Sequence, residues 1–177
     1  MKLEQTNRII IKIGSALLFN ETSGSLNKEW LNSLAEDVKY LRENDKEVII
    51  VSSGAIAMGA KDLDLDMKNM KMDMNQAVSA VGQIHLMGSF KSAFEKNEIK
   101  ISQILLTLDD TEQRRRSINA RRTIDTLLKL GIVPVVNEND TIATSEIRYG
   151  DNDRLASRVA QITSADCLIL LLSLIHI

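Results

Sequence analysis

Lys12 is the first residue that invites a chemical reading. It sits inside Arg8-Ile9-Ile10-Ile11-Lys12-Ile13-Gly14, a β-branched run ended by glycine that reads as a buried strand. An ammonium in that setting must find anionic company or lose its charge, and an anionic ligand would supply the company. A lysine guarding an edge strand against mispairing is the structural alternative. Gly14-Ser15 and Ser52-Ser53-Gly54 place small residues just beyond strand ends. Backbone N–H groups can approach a phosphate or carboxylate closely there, or the chain can simply turn. The densest polar cluster is Asn137-Glu138-Asn139-Asp140-Thr141, expected directly after a strand and followed by Gly150-Asp151-Asn152-Asp153 at a predicted helix start. Carboxylates accept from an ammonium and amides donate to a carboxylate, so this composition suits the two ends of an amino acid. Asp and Asn also cap helices and favour turns, which by itself would explain Asp151.

Several other chemistries can be set aside. Residues 54–59 imitate the opening of a P-loop, but Ala60 stands where the lysine belongs and Asp62 follows Lys61 where Ser or Thr is needed. No G-x-G-x-x-G follows a predicted strand, which removes the main support for a dinucleotide site. His85 and His176 lack a carboxylate or cysteine at ligand spacing, so no metal site is predicted, and His85 reads as a structural residue on a helix. Arg114-Arg115-Arg116 with Arg121 and Arg122 could hold anions. Asp109, Asp110, Glu112 and Asp125 lie close enough to pair with them, and a solvated helix face is the preferred reading.

These residues need elements to position them. Strands are predicted at 8–13, 47–52, 101–107, 132–136 and 168–171, and helices at 30–41, 55–60, 76–96, 116–130 and 151–164, with a polar loop through Ser25. Gly131 falls where a helix C-cap belongs. Residues 61–75, with Met67, Met70, Met72 and Met74 among Asp and Lys, read as an adaptable surface segment or lid, or as a mobile loop without a role. The small residues Ala77, Ser79, Ala80 and Gly82 permit close helix approach, in the core or between subunits. Strands alternating with helices imply a parallel sheet covered on both faces, whose ligands bind at the carboxyl ends of the strands.

The chain has 177 residues, of which 44% are hydrophobic and 26% charged, enough for one domain with a core. A net charge of -2 supplies no basic field, so neither nucleic acid nor an anionic membrane is an expected partner. The single cysteine, Cys167, allows neither an intramolecular disulfide nor a thiolate zinc cluster and fits a reducing compartment. The polar start lacks the apolar core of a secretory signal, and the longest apolar run is too short to span a bilayer, so a cytoplasmic location is expected.

Taken together, Ile11-Lys12-Ile13-Gly14-Ser15, Ser53-Gly54-Ala55-Ile56-Ala57-Met58-Gly59, Ala80-Val81-Gly82-Gln83, Asn119-Ala120-Arg121, Pro134-Val135-Val136-Asn137-Glu138-Asn139-Asp140 and Gly150-Asp151-Asn152-Asp153 resemble the glutamate 5-kinases, over residues 8–171. The lysine and glycine of the first strand are shared with the wider amino acid kinase superfamily, whereas N-E-N-D combined with G-D-N-D is specific. The resemblance implies an α/β fold, a three-layer αβα sandwich with a mainly parallel sheet, with glutamate in its N-terminal part and MgATP mainly in its C-terminal part. It implies that Lys12, Gly14 and Ser15 serve ATP and that Lys12 also bridges to the transition state. It further implies that Ser53, Asp140 and Asn152 bind glutamate with Asp151 nearby, and that Asp153 orients the catalytic lysines. Arg148 stands where the family often has lysine. ATP and Mg2+ are the expected cofactors, and a homo-oligomer and feedback inhibition by proline are further implications.

Phosphoryl transfer to a carboxylate brings two anions together, so catalysis must come from charge neutralisation and alignment. Lys12 and donors beside Gly14 suit that task, a neighbouring carboxylate such as Asp153 would keep the lysine charged, and an ionised acceptor needs no general base. The resemblance does not extend to the later nucleotide-binding segments, a second catalytic lysine or a PUA domain. Residues 1–171 therefore read as the N-terminal part of an amino acid kinase domain, inactive by itself, and 172–177 as a non-native tail. A superfamily kinase with another acceptor, or a non-catalytic amino-acid-binding module, are the alternatives, separable by substrate preference and by turnover.

Overall fold

A computed structural model of the chain describes residues 3–19, 25–68, 70–142 and 151–172. Arg148, Gly150 and, beyond Leu172, the expected 172–177 tail lie outside the described residues. Five strands, β1 (Arg8–Ile13), β2 (Glu47–Val51), β3 (Ile101–Leu106), β4 (Val133–Glu138) and β5 (Cys167–Leu171), form one sheet in the order β3-β4-β2-β1-β5. Every pairing is parallel, because each strand is followed by a helical crossover that carries the chain back to the same end. The crossovers are α1 (Ser15–Leu18) with α2 (Lys28–Glu43), α3 (Ala55–Asp62) with α4 (Met72–Glu95), α5 (Leu108–Glu112) with α6 (Arg114–Lys129), and α7 (Asp151–Thr163).

Alternation along the strands sorts the core into two halves. Ile9, Ile11 and Ile13 pack with Leu31, Leu34 and Val38 of α2 and Leu86, Phe90 and Phe94 of α4. Ile10, Ile49, Val51 and Val136 point the other way, onto Ala120 and Ile124 of α6 and Leu155, Ala156 and Val159 of α7. Each fully buried aliphatic side chain contributes about 1.5–3 kcal/mol, so both faces are held by burial, and the predicted three layers are present. Among the described residues, no helix is long and apolar enough to cross a membrane.

Some element boundaries differ from expectation. The segment taken as a polar loop contains α1, because Leu18 is fully buried and anchors the chain over the core. The Met-rich segment is partly helical: α4 begins at Met72, four residues before the predicted start at 76, while Met67, Met72 and Met74 stay exposed. The short α5 was not anticipated. It starts with a capping box in which Thr107 Oγ1 accepts from the Asp110 N–H at 3.2 Å and the Asp110 carboxylate accepts from the Thr107 N–H at 2.8 Å. Burial pushes that carboxyl up, but the Thr107 backbone and hydroxyl and the Arg116 guanidinium outweigh it and hold Asp110 below the ordinary range. At the end of α6, Gly131 adopts φ +71° and its N–H donates to the Leu128 carbonyl at 2.9 Å, as the predicted C-cap requires.

The α3–α4 contact is the tightest in the molecule's helical layers. A Cβ at Gly59 would lie 1.9 Å from the Val78 carbonyl oxygen, and one at Gly82 would lie 1.8 Å from that of Ala55. The predicted close approach is therefore backbone against backbone and lies within the core of one chain. At the amino ends of the strands, Arg8 pairs with Glu47 at 2.7 Å and Asp125 at 2.9 Å and donates to the Thr163 carbonyl, joining β1, β2, α6 and α7.

Candidate functional site

The chemistry-bearing residues gather at the opposite, carboxyl ends of β4, β2 and β1, which are neighbours in the sheet. Lys12 lies on the α6/α7 side of β1 with its side chain 7% exposed. β1 is flanked by β2 and β5, so the edge-strand explanation of this lysine fails. Its Nζ meets Asp153 Oδ1 at 2.5 Å, and that oxygen has no other partner among the described residues. Asp153 reaches Lys12 because α7 starts two residues earlier and its first turn lies across the strand ends.

The loop after β1 is more committed than the sequence implied. The Gly14 N–H donates to the Leu171 carbonyl at 3.0 Å, continuing the β1–β5 ladder, so it is not an open donor for an anion. A Cβ at Gly14 would make ordinary contacts, 3.4 Å from the Leu171 carbonyl oxygen and 3.9 Å from Lys12 Nζ, so glycine keeps the surroundings of the ammonium free of a side chain. Ser15 opens α1 directly beyond it.

Ser53 follows β2, and its hydroxyl donates to the Ile13 carbonyl at 3.0 Å, tying the ends of β2 and β1 together. With its proton committed, the Ser53 oxygen keeps lone pairs that can accept from an ammonium. Gly54 turns the chain into α3 at φ +100°, and a Cβ at that position would meet the Phe19 ring at 2.6 Å.

The Asn137–Thr141 cluster does not simply follow its strand. Asn137 and Glu138 are the last two residues of β4 and are buried, because β4 is sandwiched between β3 and β2 and covered by α4 and α7. Asp140 is also buried and accepts from Ser79 Oγ of α4 at 2.6 Å. One helical turn further along α4, Gln83 Oε1 accepts from Asn137 Nδ2 at 2.8 Å. Asn137 Oδ1 in turn faces Asn152 Nδ2 of α7 at 3.5 Å. The first turn of α7 thus spans the site, with Asn152 directed to β4 and Asp153 to β1. Asp151 is the residue at which α7 begins; its side chain is outside the described residues.

Lys12, Ser53, Asp140, Asn152 and Asp153 are therefore brought to one end of the sheet. Ser79 and Gln83 of α4 belong to the same polar network and were missed. Ser79 stands in the sequence as one of the small packing residues and Gln83 only as the end of the Ala80-Val81-Gly82-Gln83 motif, although their i,i+4 spacing puts them on one helix face. The arginines lie elsewhere: Arg116 pairs with Asp110 at 3.0 Å, Arg121 with Asp125 at 3.6 Å, and Arg158 with Glu112 at 2.7 Å. A cavity of about 610 Å³ bounded by Thr111, Glu112, Arg121 and Arg158 opens between α5, α6 and α7, and its arginines are paired with Asp125 and Glu112. His85 stands 3.2 Å from Asp62, both half exposed.

The arrangement offers a buried cation held by a carboxylate, beside acceptors and amides suited to a zwitterion. Residues 7–173 match the amino acid kinase family profile. Over 171 residues, 97% of this chain, it is 61% identical to a protein of Pelagibacter ubique named glutamate 5-kinase. It is 56% identical over 169 residues to glutamate 5-kinase 1 of Mesorhizobium japonicum and 54% identical over 169 residues to a glutamate 5-kinase of a Ruegeria species. The chain spans less than half the length of these relatives, 46%, 44% and 46% respectively. The match runs through all five strands and through both polar clusters at their ends, and this chain belongs to the amino acid kinase family.

Proposed function

We propose that this site binds glutamate and that the protein transfers the γ-phosphoryl group of ATP to the glutamate side-chain carboxylate, giving γ-glutamyl phosphate, the first step towards proline. The observation that carries the reading is the buried Lys12 ammonium paired with Asp153, one strand away from Ser53 and two from Asp140. The names of the three relatives support glutamate as the substrate.

A carboxylate oxygen of glutamate forms the new bond to phosphorus as the bridging oxygen leaves with ADP, so negative charge crowds at one point. The Lys12 ammonium is placed to neutralise that charge, and Asp153 balances and points it. Removal of water from around Lys12 strengthens the interaction, as its 7% exposure provides. Ser53 and Asp140 offer acceptors to the substrate ammonium, and Asn152 joins them from α7. Gly14, lacking a side chain, adds no bulk next to the ammonium, and Ser15 follows it. No three carboxylate, histidine or cysteine groups converge among the described residues, so the Mg2+ that accompanies ATP would be held chiefly by phosphate and water oxygens. Homo-oligomerisation, sensitivity to proline and a cytoplasmic location belong to the same proposal.

Hydroxylamine captures an acyl phosphate as a hydroxamate. Protein expressed from the intact gene and given glutamate and MgATP is expected to yield glutamyl hydroxamate, with Lys12→Ala reducing the yield at least about a hundredfold. Well-folded parent protein that yields none would overturn the reading.

A further inference from the structure

Two buried polar atoms beside the proposed amino-acid site have no partner among the described residues, and they are the two ends of one row of side-chain amides. Gln83 Oε1 accepts from Asn137 Nδ2 at 2.8 Å, and Asn137 Oδ1 faces Asn152 Nδ2 at 3.5 Å. Gln83 Nε2 and Asn152 Oδ1 are left over, both closed to water. An amide has one donor end and one acceptor end, so in a row of three each orientation is dictated by its neighbour. Turning Asn137 alone would set its carbonyl against that of Gln83 and its NH2 against that of Asn152. The row can reverse only as a whole and has two self-consistent polarities.

The polarity decides what Asn152 presents at its far end. In this arrangement the end of the row is the buried Asn152 carbonyl oxygen, left with its acceptor capacity unused and suited to an ammonium. In the reverse arrangement Asn152 would present NH2, a donor suited to a carboxylate. The backbone that carries Gln83 is held in place, because the preceding Gly82 is pressed against α3, and the central Asn137 is only 2% exposed. The 3.5 Å link is the loose one, and a ligand N–H on Asn152 Oδ1 would polarise the row and tighten it.

We propose that Gln83 is a positioning residue for the amino-acid substrate: it sets the polarity of the Asn137–Asn152 row and thereby makes Asn152 an acceptor for the substrate ammonium. This rests on the glutamate reading of the site. Gln83 acts through Asn152, so the two should be coupled, whereas a residue that merely supports the fold would act independently.

The test is a double-mutant cycle on protein expressed from the intact gene, followed by hydroxamate formation. Gln83→Met is expected to lower kcat/KM for glutamate about tenfold while KM for ATP stays within about twofold. In an Asn152→Ala background the same change should alter kcat/KM less than about twofold. If Gln83→Met does not fold, Gln83→Ala carries the same cycle, since alanine is well tolerated at a half-buried helical position. An unchanged kcat/KM for glutamate, an equal loss in both backgrounds, or an equal loss for ATP overturns the inference and leaves the glutamate reading standing. Parent protein without hydroxamate overturns both.

Discussion

The Lys12–Asp153 pair is asymmetric, and that asymmetry separates its structural from its chemical role. The lysine side chain is 7% exposed and the aspartate 38%, so the ammonium depends on its partner for solvation more than the carboxylate does. Asp153→Asn would leave a buried cation without a counter-charge. Lys12→Met would leave a carboxylate that water can reach. We therefore expect Asp153→Asn to lower the thermal midpoint more than Lys12→Met does, by about 3 kcal/mol of stability against less than about 1. Both should lose at least about a hundredfold in hydroxamate formation. A midpoint that falls further in Lys12→Met would contradict this account of the pair.

Helix α4 places the site residues that the sequence reading overlooked, and its position is set by glycine. Ser79 and Gln83 reach Asp140 and Asn137 because Gly82, between them, lets the helix touch α3 through the Ala55 carbonyl. A methyl group there would force the two backbones apart, whereas a Cβ at Gly88 on the same helix would have nothing within 4 Å. Gly82→Ala is expected to cost about 3 kcal/mol, while Gly88→Ala gains about 1 kcal/mol from helix propensity. Opposite signs for one substitution on one helix, read by urea unfolding, would locate the constraint in the α3–α4 contact. Equal effects would remove it.

Across the whole molecule, the two ends of the sheet have different jobs. The carboxyl ends carry the polar site, and the amino ends are tied by Arg8 to Glu47, Asp125 and the end of α7. Burial opposes the charge on Arg8, but Glu47 and Asp125 more than compensate and raise its affinity for the proton. Beside it, the backbone N–H groups of Arg8 and Asn7 hold Asp166 below the usual carboxylate range. Arg8→Met is expected to remove about 2 kcal/mol of stability, roughly 4–8 °C in melting temperature, by stripping Asp125 and the Thr163 carbonyl of a partner. It should leave KM for glutamate within about twofold, because Arg8 lies at the far end of β1 from Lys12 and Ser53. A comparable rise in KM would show that the two ends are coupled.

Much of this was legible in the chain itself. Apolar strand runs and amphipathic helices in alternation leave few ways to bury both, so a parallel sheet in three layers followed, as did the location of Lys12, Ser53, Asp140 and Asn152 at strand ends. Local patterns also revealed the solvated arginine face and the Gly131 cap. Strand order was not legible, because hydrophobic alternation records that a strand is buried and not which strand lies beside it. That order is what puts β4, β2 and β1 side by side and denies β1 an edge. Nor could spacing show that the Gly14 N–H is taken by Leu171, or that Ser79 and Gln83 face the ends of β4, since these contacts join residues far apart in the chain. The sequence determined which groups can do chemistry and which face each helix buries. Tertiary structure decided which of those groups meet, because hydrogen bonds and ion pairs depend on distances that only packing sets.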